Sequence, residues 1–113
     1  MECIFCKIVK GEIQTKILFE NDRIIAFKDI NPAAPVHILI IPKTHIETIN
    51  DIDDSNYILA GEMIKTAKHL AGEYGLSESG YRLVFNCNKD AGQEVFHIHL
   101  HLLGGRPFKW PPG

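Results

Sequence analysis

The chain has 113 residues, of which 45% are hydrophobic and 23% are charged, values typical of one globular domain rather than a disordered chain. The formal net charge is −2, from 12 basic and 14 acidic residues, so the chain lacks the basic surface needed to bind a long nucleic acid. No apolar run approaches the roughly 20 residues that cross a bilayer, and we expect no association with a membrane.

The cysteines and the N-terminus bear on compartment and domain organisation. Three cysteines fit a disulfide framework poorly because the number is odd. The start MECIFCKIVK lacks the basic residues, long apolar core and cleavage site of a signal peptide. We therefore expect a protein of the reducing cytoplasm, with the nucleus left open as a further location. Because no repeat, low-complexity tract or linker divides the chain, residues 1–113 are predicted to form a single domain.

The first part of the chain predicts a short helix and three strands. Residues 3–10 carry apolar side chains four positions apart, which indicates a helix. Residues 16–20 and 23–28 predict a hairpin around an Asn-Asp turn. After a loop over 29–35 that contains two prolines, residues 36–41 predict a central strand rich in β-branched side chains.

The second part predicts one long helix and two further strands. Residues 54–74 carry an apolar stripe at helical spacing, with polar residues able to cap the start and a glycine just past the end. Residues 80–87 and 95–103 are the remaining predicted strands. The sequence therefore predicts an α+β domain: an antiparallel sheet of about five strands with one main helix and a short N-terminal helix.

The run FHIHLHLL places His97, His99 and His101 at alternate positions. Since successive side chains of a strand point to opposite faces, we expect three imidazoles on one face and the aliphatic residues on the other, against the helix. The outer two imidazoles would lie about 13 Å apart along a strand, too far to share one zinc ion. The spacing favours separate roles in a row.

The middle histidine, His99, is the natural nucleophile of this row. A neutral imidazole can attack phosphorus and form a covalent intermediate if its other ring nitrogen donates a hydrogen bond that fixes the tautomer. His37, on the predicted central strand, is a candidate for that orienting role. The flanking His97 and His101 can contact phosphate oxygens or the leaving group. The alternative is a polar sheet face whose histidines have no function.

The pattern His, apolar, His, apolar, His, apolar, apolar resembles the histidine triad (HIT) superfamily. The segments IFCKIVKGEI, FENDRIIAFKDINPAAPVHILIIPKTHI, AGQEVFHIHLHLLGGR and WPPG extend the resemblance over nearly the whole chain, and they are most similar to the Hint branch, the purine nucleoside phosphoramidases. The resemblance implies a HIT-like fold and a hydrolase that cleaves phosphoramidates or acyl-adenylates of purine nucleoside monophosphates, releasing AMP or GMP. It further implies that His99 becomes nucleotidylated, that His97 and His101 support the phosphate and the strand, and that His37 hydrogen-bonds the ring of His99.

The resemblance also implies a substrate pocket. Asn86 would lie near the phosphate or leaving group, and Gln93 with the backbone around Glu94 and Val95 would form part of the phosphate site. Many relatives carry serine where this chain has Glu94, which leaves the leaving-group acid open. Asp29 would bind the ribose hydroxyls. The base would lie between apolar residues for which core packing is otherwise the simpler account: Ile4, Phe5, Ile8, Phe27, Ile30 and Leu39.

Cys3 and Cys6 form the C-x2-C half of a structural zinc site, but the sequence contains no second such pair. Some triad relatives complete the site with a histidine after the Pro-Lys-Thr segment and with the first triad histidine, which are His45 and His97 here. The resemblance thus implies a structural zinc ion, with no open position for water, and no organic cofactor. The alternative is a reduced, metal-free cysteine pair.

Family members are homodimers with one ten-stranded sheet, and the resemblance implies the same assembly here, with Trp110 of the tail reaching toward the partner's site. Two other functions stay open. One is a different activity of the superfamily, either hydrolysis of dinucleoside polyphosphates or nucleotidyl transfer. The other is a zinc-stabilised nucleotide-binding or interaction module with little turnover.

Overall fold

The computed structural model describes residues 3–113 and contains a five-stranded antiparallel sheet, in which the strands, numbered along the chain, lie in the order 1-2-3-5-4. A 3-10 turn over Ile49–Asp51 and a short helix over Asn88–Ala91 occupy segments predicted as loops. The α+β class, the five strands, the main helix and the short N-terminal helix are confirmed. The elements are α1 (Ile4–Val9), β1 (Ile17–Glu20), β2 (Ile24–Lys28), β3 (Val36–Pro42), α2 (Tyr57–Glu73), β4 (Tyr81–Phe85), α3 (Asn88–Ala91) and β5 (Leu100–Gly104).

One face of the sheet packs against α2. Ile38 pairs with Leu102 and Ile40 pairs with Leu100, so these four side chains share a face. All four are buried, in one apolar cluster with Met63, Ala67 and Leu70 of α2. The prediction that the aliphatic residues of the histidine run face the helix is therefore confirmed for Leu100 and Leu102. No helix among residues 3–113 combines the length and the hydropathy needed to cross a membrane.

The opposite face of the sheet holds a smaller apolar cluster and the histidines. Phe5 and Ile8 of α1 pack there against side chains of β2 and β3, including Phe27 and Leu39. Leu39 pairs with His101, so that imidazole projects from the same face as the cluster. The fold thus sets a row of polar rings directly beside an apolar wall.

The helix α2 begins later than predicted, at residue 57 instead of 54. The carboxylate of Asp53 accepts hydrogen bonds from the backbone N–H of Ser55 at 2.8 Å and from its hydroxyl at 2.6 Å, closing a turn before the helix. The helix ends at Glu73, one residue before the predicted end, and Gly75 lies just past it. The φ of Gly75, 72°, suits glycine, and the N–H of Leu76 donates to the carbonyl of Ala71 at 2.8 Å.

The strand predicted over 95–103 is shorter and later, Leu100–Gly104. Residues 95–99 leave the sheet because their polar groups bond elsewhere: the N–H of Ile98 donates to the carbonyl of Ile46 at 2.6 Å, and the ring of His97 bonds the carbonyl of Pro42. His97 and His99 therefore precede the strand. Both rings still contact Phe5, with centroids 5.9 and 5.2 Å away, so the two histidines lie on the same side although this part of the run is not strand.

Candidate active site and metal centre

A cavity of about 510 Å³ opens beside the histidine row, bounded by α1, the loop after β2 and the segment before β5. Three predicted catalytic residues line it, namely His37, His99 and His101. The predicted substrate residues that line it are Ile4, Phe5, Ile8, Phe27, Asp29, Ile30, Leu39, Asn86, Glu94 and Val95. The predicted residues outside its lining are Gln93, His97 and Trp110.

Sequence analysis missed the segment Ile13, Gln14 and Thr15, which closes the cavity near α1. This stretch follows the end of α1 without periodicity or a charged residue, so it gives no signal in the sequence. Lys28 and Asn31 also reach the lining, on either side of the predicted Asp29. The cavity is therefore larger than the predicted nucleoside pocket, and its extra wall consists of loop residues and of Lys28 at the end of β2.

The ring of His99 is held by the backbone of its own segment. Its Nδ1 lies 2.8 Å from the carbonyl oxygen of His97, and a carbonyl can only accept, so Nδ1 carries the proton. The other nitrogen, Nε2, then keeps its lone pair. The ring also contacts the edge of Phe5, with ring centroids 5.2 Å apart. His99 is thus an oriented imidazole on the wall of the cavity, and its neutral form presents the Nε2 lone pair.

A chain of hydrogen bonds fixes the tautomer of His101. The backbone N–H of Ala33 donates to Nδ1 of His37 at 3.0 Å, so the proton of His37 lies on Nε2. That Nε2 is 2.8 Å from Nδ1 of His101 and donates to it. The remaining proton of His101 is therefore on Nε2, which is the one buried side-chain nitrogen or oxygen without a partner among residues 3–113. The site presents an unused N–H donor beside the nucleophile candidate.

The position of His37 corrects the expectation that it hydrogen-bonds the ring of His99. Its Nε2 bonds His101, and the orienting acceptor of His99 is instead the backbone carbonyl of His97. The physical reason lies in the register, because His37 projects on the same face as Leu39, which pairs with His101. The Asp29 carboxylate also approaches His37, with Oδ2 3.4 Å from Nε2.

Gln93 also departs from its predicted place at the phosphate. Its side-chain carbonyl accepts from the N–H of Asn88 at 2.9 Å, and its amide donates to the carbonyls of Glu47 at 2.8 Å and Val95 at 3.1 Å. The side chain is buried and joins three loops. Its hydrogen-bonding groups are engaged by backbone, so it supports the cavity wall from behind.

The pKa values of His37 and His101 are depressed in the site. Burial, together with the neighbouring His99 and His37, lowers the pKa of His101 to about 4. Burial likewise lowers the pKa of His37, although Asp29 acts in the opposite direction. Neutral rings preserve the directional chain of donors and acceptors, since a protonated His37 or His101 would place two N–H groups against each other.

The depressed pKa of His101 predicts an acid-dependent loss of stability. Below pH about 6.5 the unfolded chain takes up a proton that folded His101, packed against His37, His99 and Asp29, excludes until about pH 4. The free energy of unfolding should therefore fall as the pH is lowered through this window. Urea unfolding between pH 7 and 4.5 should give a shallower pH slope for His101→Asn than for the wild-type chain, whereas equal slopes would contradict the prediction.

Two clusters bring metal-ligating groups together. In the first, the donor atoms of Cys3, Cys6, His45 and His97 all lie within 4.8 Å of one another. Nδ1 of His97 is 3.4 Å from the sulfur of Cys3 and 3.3 Å from Nδ1 of His45, and the Cys6 sulfur is 3.3 Å from Nδ1 of His45. Tetrahedral zinc with ordinary bond lengths separates its ligands by about 3.3–3.8 Å, so the group can hold a metal ion.

The tautomer of His97 also suits a metal. Its Nε2 lies 2.7 Å from the carbonyl of Pro42 and donates to it, which leaves the lone pair on Nδ1, the atom facing the two sulfurs. The second cluster, Asp29 with His37 and His101, is arranged for hydrogen bonding instead. The N–H of Ala33 keeps the proton of His37 on Nε2, the atom that a metal would need.

Comparisons with known proteins agree with this architecture. The HIT domain model matches residues 10–108. The chain is 50% identical over 106 residues to the purine nucleoside phosphoramidase of Escherichia coli (strain K12), covering 94% of this chain and 89% of the relative. A solved HIT family hydrolase from Legionella pneumophila Philadelphia 1 is 59% identical with a TM-score of 0.96, over 99% of this chain and 100% of that one.

A second solved structure, the HIT family hydrolase from Clostridium thermocellum, is 52% identical with a TM-score of 0.91, over 93% of this chain and 91% of that one. These likenesses span both the histidine run and the sheet that supports it, so the resemblance inferred from the sequence is confirmed. The chain belongs to the histidine triad family of HIT-domain proteins.

Proposed function

We propose that this chain hydrolyses the P–N bond of purine nucleoside 5′-phosphoramidates, or the acyl–phosphate bond of acyl-adenylates, through a nucleotide attached covalently to His99. The observation that carries the proposal is the orientation of His99, whose Nδ1–H donates to the His97 carbonyl and leaves the Nε2 lone pair on the cavity wall. The activity named for the Escherichia coli relative, 50% identical to this chain, supports the same reaction class.

The walls of the cavity suit a purine nucleoside. Phe5 and Phe27 meet edge to face with centroids 5.5 Å apart, and with Leu39 they form an apolar side against which a base can stack. Asp29 lies on the cavity lining, where its carboxylate can accept from ribose hydroxyls. Its Oδ1 is already held by the N–H of Asn31 at 2.8 Å, so the side chain is oriented before a substrate binds.

The reaction then has two steps. In the first, the Nε2 lone pair of His99 forms a bond to the α-phosphorus while the P–N bond breaks, and the departing amine takes up a proton from solvent. In the second, water adds to phosphorus, loses a proton to solvent and displaces His99, which releases the nucleoside monophosphate. The Nε2–H of His101 can donate to a phosphate oxygen in both steps. The carbonyl of His97 stabilises the positive charge that develops on His99.

The same proposal includes a zinc ion held by Cys3, Cys6, His45 and His97. The donor set of two sulfurs and two imidazole nitrogens is the one that structural zinc prefers, and the ligand spacings support it. With four protein ligands the ion supplies no open position for water, so its contribution is to stability. It would tie α1 to the segment that leads into β5.

A homodimer and a cytoplasmic location complete the proposal. Within residues 3–113, β4 pairs only with β5, so its outer edge is available to a second copy. The helix α2 also carries exposed apolar side chains that a second copy could bury, namely Tyr57, Ile58 and Ile64. Trp110 is 82% exposed on the tail that would reach the partner's site. The three cysteines are free thiols, which supports a reducing compartment.

The substrate class is tested by comparing hydrolysis of adenosine 5′-phosphoramidate with that of a diadenosine polyphosphate. We expect kcat/KM to be higher for the phosphoramidate by at least about 100-fold, because the cavity beside His99 offers one apolar wall for a base and one ribose-binding carboxylate, Asp29. Faster cleavage of the polyphosphate would assign the chain to another activity of the superfamily. Binding of AMP without turnover of either compound would support an interaction module instead.

A further inference from the structure

The hydrogen-bond chain that sets the tautomer of His101 begins outside the cavity, at Arg106. The guanidinium of Arg106 donates to the carbonyl of Ala33 at 3.0 Å, and the N–H of the same Ala33 donates to Nδ1 of His37 at 3.0 Å. His37 in turn donates to His101 at 2.8 Å. One exposed side chain of the C-terminal segment is thus connected, through one loop residue and one imidazole, to the unpartnered N–H in the site.

The link depends on the position of a short piece of loop. In the stretch 32–35 only Ala33 and Ala34 have backbone N–H groups, because Pro32 and Pro35 have none. The tail approaches this loop closely: a Cβ built on Gly105 would lie 2.8 Å from Cβ of Pro35, and its φ of 94° suits glycine. Arg106 follows directly and adds the hydrogen bond to Ala33, so the tail fixes the loop from one side.

Arg106 itself is held in place by the tail. Its Nη1 donates to the carbonyl of Pro107 at 3.0 Å, and its guanidinium lies over the ring of Phe108 at 4.4 Å from the centroid. Arg82 of β4 contacts the same ring at 5.1 Å and donates to the carbonyl of Lys109 at 3.0 Å. The two arginines therefore anchor the same tail, but only Arg106 bonds Ala33.

We propose that Arg106 is a positioning residue: it holds Ala33 against His37, and so keeps the proton of His101 on Nε2, a buried atom on the ring beside His99 that has no partner among the described residues. If Ala33 moves away, Nδ1 of His37 can take the proton, and Nε2 of His37 then offers a lone pair to His101. The tautomer of His101 inverts, and its Nε2 becomes an acceptor that cannot donate to a phosphate oxygen. The kinetic part of this inference rests on the proposed hydrolase function, whereas the tautomer part does not.

The test compares Arg106→Ala, Arg106→Lys and Arg82→Ala in the full chain. Nitrogen-15 NMR of labelled imidazoles reports the tautomers directly. We expect the Nε2-protonated signature of His101 in the wild-type chain and in Arg82→Ala, and a mixture of tautomers in Arg106→Ala. Arg106→Lys retains a charged donor and should restore the wild-type signature in part. With adenosine 5′-phosphoramidate, Arg106→Ala should lose about 10-fold in kcat with KM changed less than about 3-fold.

Arg82→Ala is the matched control, because it removes a contact with Phe108 and the tail without touching Ala33. An unchanged His101 tautomer in Arg106→Ala would overturn the proposal, as would equal kcat losses in the two alanine variants. If the wild-type chain fails to hydrolyse the phosphoramidate, the proposed function fails, but the NMR comparison still decides the positioning role. Should Arg106→Ala fold poorly, Arg106→Gln provides the same comparison without the charge.

Discussion

Replacing His99 with alanine is expected to lower kcat for adenosine 5′-phosphoramidate by at least roughly four orders of magnitude, since loss of one member of a catalytic triad costs serine proteases about 10⁴- to 10⁶-fold. The loss should be in kcat rather than KM, because the apolar wall and Asp29 bind the nucleoside independently of this ring. The physical basis is the lone pair on Nε2, which the bond from Nδ1–H to the His97 carbonyl preserves. Steady-state rates of purified wild-type and variant protein give the measurement.

His69→Ala is the control for this experiment. His69 lies on α2, half exposed, with Nε2 3.4 Å from the carboxylate of Glu73, and it takes no part in the cavity. Its replacement should leave kcat within about 2-fold of wild type. Rapid quenching of the wild-type reaction should also trap one nucleotide on His99, visible as added mass on the peptide that contains it. A nucleotide found on His101, or more than a tenth of the activity left in His99→Ala, would contradict the assignment.

Helices and strands whose apolar residues recur at a clear period could be predicted from the sequence. The residues at which these elements begin and end could not, because they depend on hydrogen bonds between particular side chains and the backbone. The apolar stripe of α2 is clear, but its first turn is displaced by the hydrogen bonds from Ser55 to the Asp53 carboxylate. Similarly, alternation over 95–103 predicts a strand, yet the first five residues bond the segments around Pro42 and Ile46. Periodicity specifies which face a residue occupies, and here it did so even where no ladder forms.

In the candidate site, side chains with distinctive chemistry could be predicted from the sequence, whereas their backbone hydrogen-bond partners could not. Histidines and cysteines can be recognised in a sequence as candidate metal ligands or catalysts. The structure brings the donor atoms of four of them within 4.8 Å of one another, namely Cys3, Cys6, His45 and His97. Backbone groups have no such signature, so the orienting carbonyl of His97 and the N–H of Ala33 could not be inferred. For this reason His37 was matched with the wrong imidazole. Gln93 was predicted at the phosphate site for a related reason. A side-chain amide can hydrogen-bond a phosphate or backbone groups, and in the structure it bonds the backbone of three other residues.

Removing the cysteine pair is expected to lower both metal content and stability. The wild-type chain should purify with one zinc ion per chain, and Cys3→Ser/Cys6→Ser with none, because the variant lacks two of the four ligands. At free zinc about 1,000 times the dissociation constant, binding to the folded state alone contributes about 4 kcal/mol. We expect the free energy of unfolding in urea to fall by about that amount, and a chelator to reproduce the loss in the wild-type chain.

Cys87→Ser is the matched control, since Cys87 is a free thiol that is not among the four clustered ligands. It should retain one zinc ion and lose less than about 1 kcal/mol. Zinc-free wild-type protein whose stability equals that of the double variant would instead identify Cys3 and Cys6 as an ordinary thiol pair.

His97 connects the proposed zinc site, which the stability measurement tests, to the candidate active site. Its Nδ1 faces the sulfurs of Cys3 and Cys6, 3.4 and 3.6 Å away, while its carbonyl oxygen accepts the hydrogen bond from Nδ1–H of His99. The first histidine of the run thus belongs to the Cys–His cluster through its side chain and contacts the proposed nucleophile through its backbone. A metal that fixes the ring of His97 also fixes the acceptor on which the tautomer of His99 depends.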